Sequence, residues 1–237
     1  MLDAIAAAQR AMDIDQLKLQ SVSQNIANMN TPGFKKQVIE FKNFDEELQP
    51  QISNLVQQME HSQVKTQGTF NQTHKPGDIA LAGEGYFQVQ GQQGLFYTRR
   101  GDFQVNTQGE LATATGELLM GKSGAIKIDD NDYTLDSQGN LYIDHLKKDQ
   151  INIVQFDSSH QLNYAGNGLY QTDASPVSAS GNTRVLQGFI EQSNVKSIDE
   201  MMDMVKLSRH FEASQRVMRT ANNLLATAIN QLGEGNV

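Results

Sequence analysis

Histidine is the side chain best suited to hold a metal or move a proton near neutral pH. The chain has five, His61, His74, His145, His160 and His210. They lie far apart with no metal-type spacing among them, so surface and local hydrogen-bonding roles are expected. Asp129-Asp130-Asn131-Asp132 offers the oxygen ligands that calcium prefers. It lacks the glycine and the distal glutamate of a calcium loop, and a solvated turn is the expectation. Gly83-Glu84-Gly85 is followed by neither a helix-opening glycine nor a lysine, so it is no phosphate loop, and no G-x-S-x-G elbow occurs. Cysteine is absent, which removes disulfides and cysteine-based zinc sites. The residues thus point to no catalytic group, no metal site and no cofactor.

Composition narrows the partners. The 237 residues are 38% hydrophobic and 19% charged, enough for a core in a polar but not highly charged chain. The net charge of −8 is spread along the sequence, and Lys and Arg form no stripe, which argues against nucleic acid. No stretch approaches the roughly 18 apolar residues of a membrane span. The N-terminal MLDAIAAAQRAMD lacks a basic n-region and carries Asp3, so it reads as part of a mature helix and not as a cleaved signal.

What remains is packing chemistry, and two long helices carry it. The first is expected from Asp3 to about Met29, roughly 40 Å long. Ile5, Met12, Leu19 and Ile26 recur every seven residues, with Ala8, Asp15, Val22 and Met29 three places on. That is an a/d seam with one polar break at Asp15. Its end is a bend: Asn28 and Asn30 tolerate the left-handed conformation, Pro32 pushes Thr31 from the helical region, and Gly33 permits a sharp turn before Phe34. The second helix is expected from Ile198 to about Leu232, roughly 50 Å. Ser197-Ile198-Asp199-Glu200 reads as a capping box. Met204, Phe211, Met218, Leu225 and Leu232 form one row, and Leu207, Ser214, Ala221 and Ala228 the other. Met201 and Met202 read as adaptable packing residues, and Gly233 as the stop. Each seam serves either an intramolecular core or a neighbouring subunit.

Between the helices the period changes to two. Ile79–Leu81, Tyr86–Val89, Leu95–Thr98 and Phe103–Val105 read as strands. Asn106-Thr-Gln-Gly109-Glu-Leu111 and Asp136-Ser-Gln-Gly139-Asn-Leu141 read as matching type I turns with a glycine exit. The expected fold is α+β. Its spans are an N-terminal helix over 1–30, an extended polar connector over 31–75, a central antiparallel β domain over 76–196 and a C-terminal helix over 197–237. The two helices pair as a coiled coil.

Three segments carry a resemblance. Asn25-Ile-Ala-Asn28-Met-Asn30-Thr31-Pro32-Gly33-Phe34-Lys35 is similar to the N-terminal signature of flagellar rod and hook proteins. Gly188-Phe-Ile-Glu191-Gln-Ser193-Asn194-Val195, followed by Glu200-Met201-Met202 and Ser208-Arg209-His210-Phe211-Glu212, resembles their C-terminal signature. Asp78–Val89 and Tyr97–Phe103 resemble the segment that rod and hook subunits share, with Tyr86 for a usual Phe and Arg100 where an acid is common. Within the family the chain looks closest to a proximal rod subunit, the alternative being a distal rod or hook-type subunit. The resemblance implies a structural subunit of the basal-body rod. Its partners would be copies of itself, other rod and basal-body subunits and the flagellar export apparatus. It implies export without a cleaved signal and a tube that crosses the periplasm and transmits torque. The assembly residues would be Ile5, Met12, Leu19, Val22, Ile26, Met204, Leu207, Phe211, Met218, Leu225 and Leu232. A more distant alternative is an exported β-domain adhesin, which the absence of Trp disfavours.

Overall fold

The computed structural model describes residues 2–42, 58–128, 133–156, 162–179 and 182–234. The turn expected at Asp129–Asp132, His160 and the side chains of His61 and Leu232 lie outside what is described. The chain divides into two compact units. One comprises Met1–Ala27, Gln37–Glu60 and Lys196–Val237; the other comprises Asn28–Lys36 and His61–Val195.

The helical unit is built on α1, Leu2–Ala27, and α2, Ser197–Glu234. The two helices pack along each other. They run antiparallel, because Asp15 meets His210 while Asn25, ten residues on, meets Glu200, ten residues back. The strand Gln37–Lys42 is tied to the last turns of α1. Ser21 Oγ and Asn25 Nδ2 both donate to the Gln37 carbonyl, at 3.0 and 2.9 Å, and the Gln37 amide donates to Asn25 Oδ1 at 2.8 Å. No described helix is long and apolar enough to cross a membrane.

Three expectations at the helix ends change. Neither Asn28 nor Asn30 takes a positive φ. The turn after α1 is closed instead by the Thr31 amide donating to the Asn28 carbonyl, and the left-handed residue is Gly33, with φ of 66°. Glu200 does not reach back as a capping-box glutamate. It is buried and accepts from Asn25 Nδ2 at 3.0 Å, and its own amide donates to the Lys196 carbonyl, which makes Lys196 the cap by hydrogen bonding. Gly233 lies inside α2, which runs on to Glu234.

The β unit is antiparallel throughout its described ladders. Its largest sheet orders Asn163–Gly166, Leu169–Gln171, Gly94–Thr98, Tyr86–Gly91, Leu118–Leu119, Leu111–Ala112 and Gln104–Val105. Ile153–Gln155 also pairs with Tyr86–Gly91. Tyr133–Leu135, Asn140–Ile143 and Leu146–Gln150 form a three-stranded sheet. Arg184–Gln187 pairs with Ile79–Ala82, and Phe189–Glu191 with Phe70–Gln72. The core gathers Ile79, Leu81, Phe87, Val89, Leu111 and Leu119, with Phe87 edge-on to Phe103 at 5.4 Å. Alternation explains it: Phe87 and Val89 are two apart and face in, while Tyr86, Gln88 and Gln90 are more exposed.

Both glycine-exit turns form. The Gly109 amide donates to the Asn106 carbonyl, and Gly139 repeats this on Asp136, with φ of 76° and 75°. The Asn106 and Asp136 side chains each accept two following amides, from Gln108 and Glu110 and from Gln138 and Asn140.

Candidate assembly site

In the helical unit the described residues of the heptad rows that lie within α1 and α2 are half-buried or buried. On α1, Ile5, Met12, Leu19 and Ile26 are half-buried and Ala8, Asp15 and Val22 buried. On α2, Met204, Leu207, Phe211, Met218, Ala221, Leu225 and Ala228 are half-buried and Ser214 buried. Alternating spacings of three and four keep these residues on one side of a helix. Met201 and Met202 fall off this stripe and are exposed.

The polar break at Asp15 has a partner that the sequence reading left unassigned. Its buried carboxylate meets Nδ1 of His210 at 2.5 Å, and the His210 side chain is largely exposed. Together with Asn25–Glu200, this contact fixes the offset of the two helices, because a slip by one turn would strand a buried carboxylate. The spacing supplied a signal at Asp15, the one polar position in the α1 rows; Asn25 lies outside both rows.

In the β unit the bend residues meet the other two signature segments. The Gly33 amide donates to the Glu191 carbonyl at 2.7 Å. A Cβ on Gly33 would overlap the carbonyl carbon and oxygen of Arg99. Phe34 is fully buried and lies edge-on to Tyr164 at 5.4 Å, and the Tyr164 hydroxyl donates to Asn28 Oδ1 at 3.1 Å. Thr31 Oγ1 donates to the same Asn28 oxygen at 3.2 Å. Asn30 is exposed and Pro32 half-buried.

Behind the bend lies a buried ion cluster. Glu191, with 1% of its side chain exposed, accepts from Lys35 Nζ at 2.6 Å and from Arg99 at 3.3 Å. The Gly68 amide adds a third donor at 3.0 Å. Lys35 also donates to the Thr66 carbonyl, and Arg99 to the carbonyls of Leu81 and Gly83. The Arg99 guanidinium stands over the Tyr86 ring at 5.7 Å. Burial pushes Lys35 and Arg99 below their ordinary values, with Glu191 opposing the shift in both. Burial also pushes the Tyr86 phenol up to about 12.

Sequence reading named Lys35, Arg99 and Glu191 only as members of motifs. Their convergence could not be seen, because 64 and 92 positions separate consecutive members. The available signal was a charged residue inside each signature segment. Among the described residues no group of three or more His, Asp or Glu could hold a metal ion. The arrangement can lock chain segments together, and its chemistry is hydrogen bonding and ion pairing.

Comparison with known proteins matches the same three regions. Residues 4–35 match the family described as flagella basal body rod protein. Residues 80–143 match the flagellar hook protein FlgE/F/G D1 domain. Residues 186–232 match the flagellar basal body rod FlgEFG protein C-terminal family. The flagellar basal-body rod protein FlgG of Bacillus subtilis is 30% identical over 261 positions, covering 97% of this chain and 99% of that protein. FlgG of Caulobacter vibrioides is 29% identical, covering 94% and 97%. FlgF of Mesorhizobium japonicum is 26% identical over 238 positions, covering 98% and 99%. Three matched regions in order, and a relative aligned almost end to end, establish that the chain belongs to the flagellar basal-body rod family, whose members are structural subunits of the rod.

Proposed function

We propose that the α1–α2 pair is a coiled coil and the polymerising element of a rod tube that transmits torque. The observation that carries this reading is the continuous heptad stripe of each helix, pinned in register by Asp15–His210 and Asn25–Glu200. Knobs such as Leu19 and Phe211 alternate with small residues such as Ala8 and Ser214, which suits close helix packing. The assembly residues are those of the two rows, with Leu232 extending the second. The bend from Asn28 to Phe34 ends the first helix in a fixed conformation.

The reading includes export through the flagellar apparatus without a cleaved signal, and a place in the periplasm-spanning rod among copies of itself and other basal-body subunits. It assigns no catalytic step and no cofactor. The spans 1–30, 31–75, 76–196 and 197–237 are read as helix, connector, β domain and helix, with residues 31–36 and 61–75 of the connector built into the β unit and 37–42 into the helical unit. The short length and the Met204–Phe211 run favour a proximal rod position. The second reading is a distal rod or hook-type position. Imaging basal bodies with a label on this chain tests both. Label along the proximal rod is the expected result, and label confined to the distal rod or hook would select the second reading.

A further inference from the structure

The sequence holds a single Asn-Gly pair, Asn167-Gly168. Every other asparagine is followed by a residue with a Cβ, which hinders approach of that residue's backbone nitrogen to the asparagine side chain. The pair is the two-residue loop of the hairpin that joins Asn163–Gly166 to Leu169–Gln171, with Gly166 opposite Leu169. Its φ values of 54° and 76° are both positive, as in the type I′ turn that suits an antiparallel hairpin. The Asn167 side chain is exposed and Gly168 is buried. The Gly168 amide donates to the Tyr164 hydroxyl at 3.2 Å, and the Gly168 carbonyl accepts from Thr98 Oγ1 at 2.7 Å. The same Tyr164 hydroxyl donates to Asn28 Oδ1 at 3.1 Å, so the hairpin turn and the bend after α1 share one group.

We propose that Asn167 is a self-modification site, which the folded hairpin holds shut and the unfolded chain leaves open. In the reaction the Gly168 backbone nitrogen attacks Cγ of Asn167. A C–N bond forms, the carboxamide nitrogen leaves as ammonia with the amide proton, and a cyclic imide remains. Water then adds at either imide carbonyl and opens the ring to aspartate or isoaspartate. Water is the only co-reactant. Glycine at position 168 removes the steric barrier to ring closure. The fold raises two others. At a φ of 54° Asn167 sits in the left-handed region, and ring closure demands that its peptide bond to Gly168 turn out of that region. Attack also needs the Gly168 nitrogen to give up its proton, which the bond to Tyr164 holds in place. Reaction therefore waits on opening of the hairpin, a local event distinct from global unfolding. Isoaspartate adds a methylene to the main chain between the paired residues Gly166 and Leu169. A chain that ages before it folds thus loses the turn, and with it the hold of Tyr164 on Asn28.

Peptide mapping by mass spectrometry follows the purified full-length chain in mildly alkaline buffer, folded and in urea. In urea Asn167 should convert faster than every other asparagine, giving a mixture of aspartate and isoaspartate. In the folded chain the same conversion should be at least about tenfold slower, because only the opened hairpin reacts. Tyr164→Phe keeps the ring and removes the hydroxyl. It should speed conversion of the folded chain about fivefold, the factor that one net hydrogen bond is worth. If that variant fails to fold, which near-ultraviolet tyrosine dichroism reports, its rate should equal the rate in urea. Equal rates for the unsubstituted chain with and without urea would overturn the protection. Conversion in urea no faster at Asn167 than at other asparagines would overturn the site. A folded Tyr164→Phe chain converting at the unsubstituted rate would overturn the part of the hydroxyl in holding the turn.

Discussion

Glu191 stands between Lys35 and Arg99 with almost no water to screen it. Replacing it with Gln leaves two buried cations without their carboxylate. Breaking a buried pair from one side costs about 3–5 kcal/mol. We expect Glu191→Gln to lower the stability of the β unit by that order, seen as an earlier guanidinium transition in near-ultraviolet tyrosine dichroism. An unchanged midpoint would mean that the cluster is solvated in solution. Titration gives a second handle. Burial raises the Tyr86 and Tyr133 phenols to about 12, and raises Tyr170 as well. A phenol raised in the folded state contributes stability below its unfolded pKa of about 10 and loses it as pH rises through the folded value. Lys35 works the other way, since its folded value is lowered, and its effect is complete once the ordinary lysine range is passed. Stability should therefore fall between about pH 10 and 12, and Tyr86→Phe should flatten that fall. A fall of the same steepness in the variant, with tyrosinate absorbance followed alongside, would contradict the burial of Tyr86.

At the scale of elements, the bend depends on one residue more than on its neighbours. Gly33 has a φ of 66°, and a side chain there overlaps the Arg99 backbone, which cannot move away cheaply. Gly33→Ala should cost about 2 kcal/mol or more, combining left-handed strain with that clash. Pro32→Ala, at a half-buried site, should cost well under half as much. Equal thermal shifts for the two would show that the glycine conformation is not required. Helices, hairpin strands and both glycine-exit turns were legible because period, turn residues and glycine placement are local signals. The caps were less so. Asn28 and Asn30 suit a left-handed close, but tertiary contacts recruit Asn28 to hold Thr31 and Tyr164 instead. Glu200 satisfies a local capping pattern, yet Asn25 on the other helix takes its side chain. The Lys35–Arg99–Glu191 cluster was invisible for the same reason, since nothing local marks partners so distant in sequence.

For the whole molecule, neither unit is a single stretch of chain. The helical unit needs both ends of the sequence, and the β unit needs residues 28–36 as well as the long central span. A subunit built this way completes its helix pair only when its last segment is present. On the proposed reading the heptad rows hold the pair together, and Phe211, second in the α2 row and next to His210, is half-buried. Replacing it with Asp puts an unpaired charge into that stripe at a cost of several kcal/mol, without touching the β-unit core. The most direct measurement is incorporation of Phe211→Asp into purified basal bodies, set against the unsubstituted chain and against the tyrosine dichroism of the purified variant. The account predicts an intact β unit, no variant in the rods and non-motile cells. Normal amounts of the variant in functional rods would contradict the claim that terminal-helix packing builds the tube.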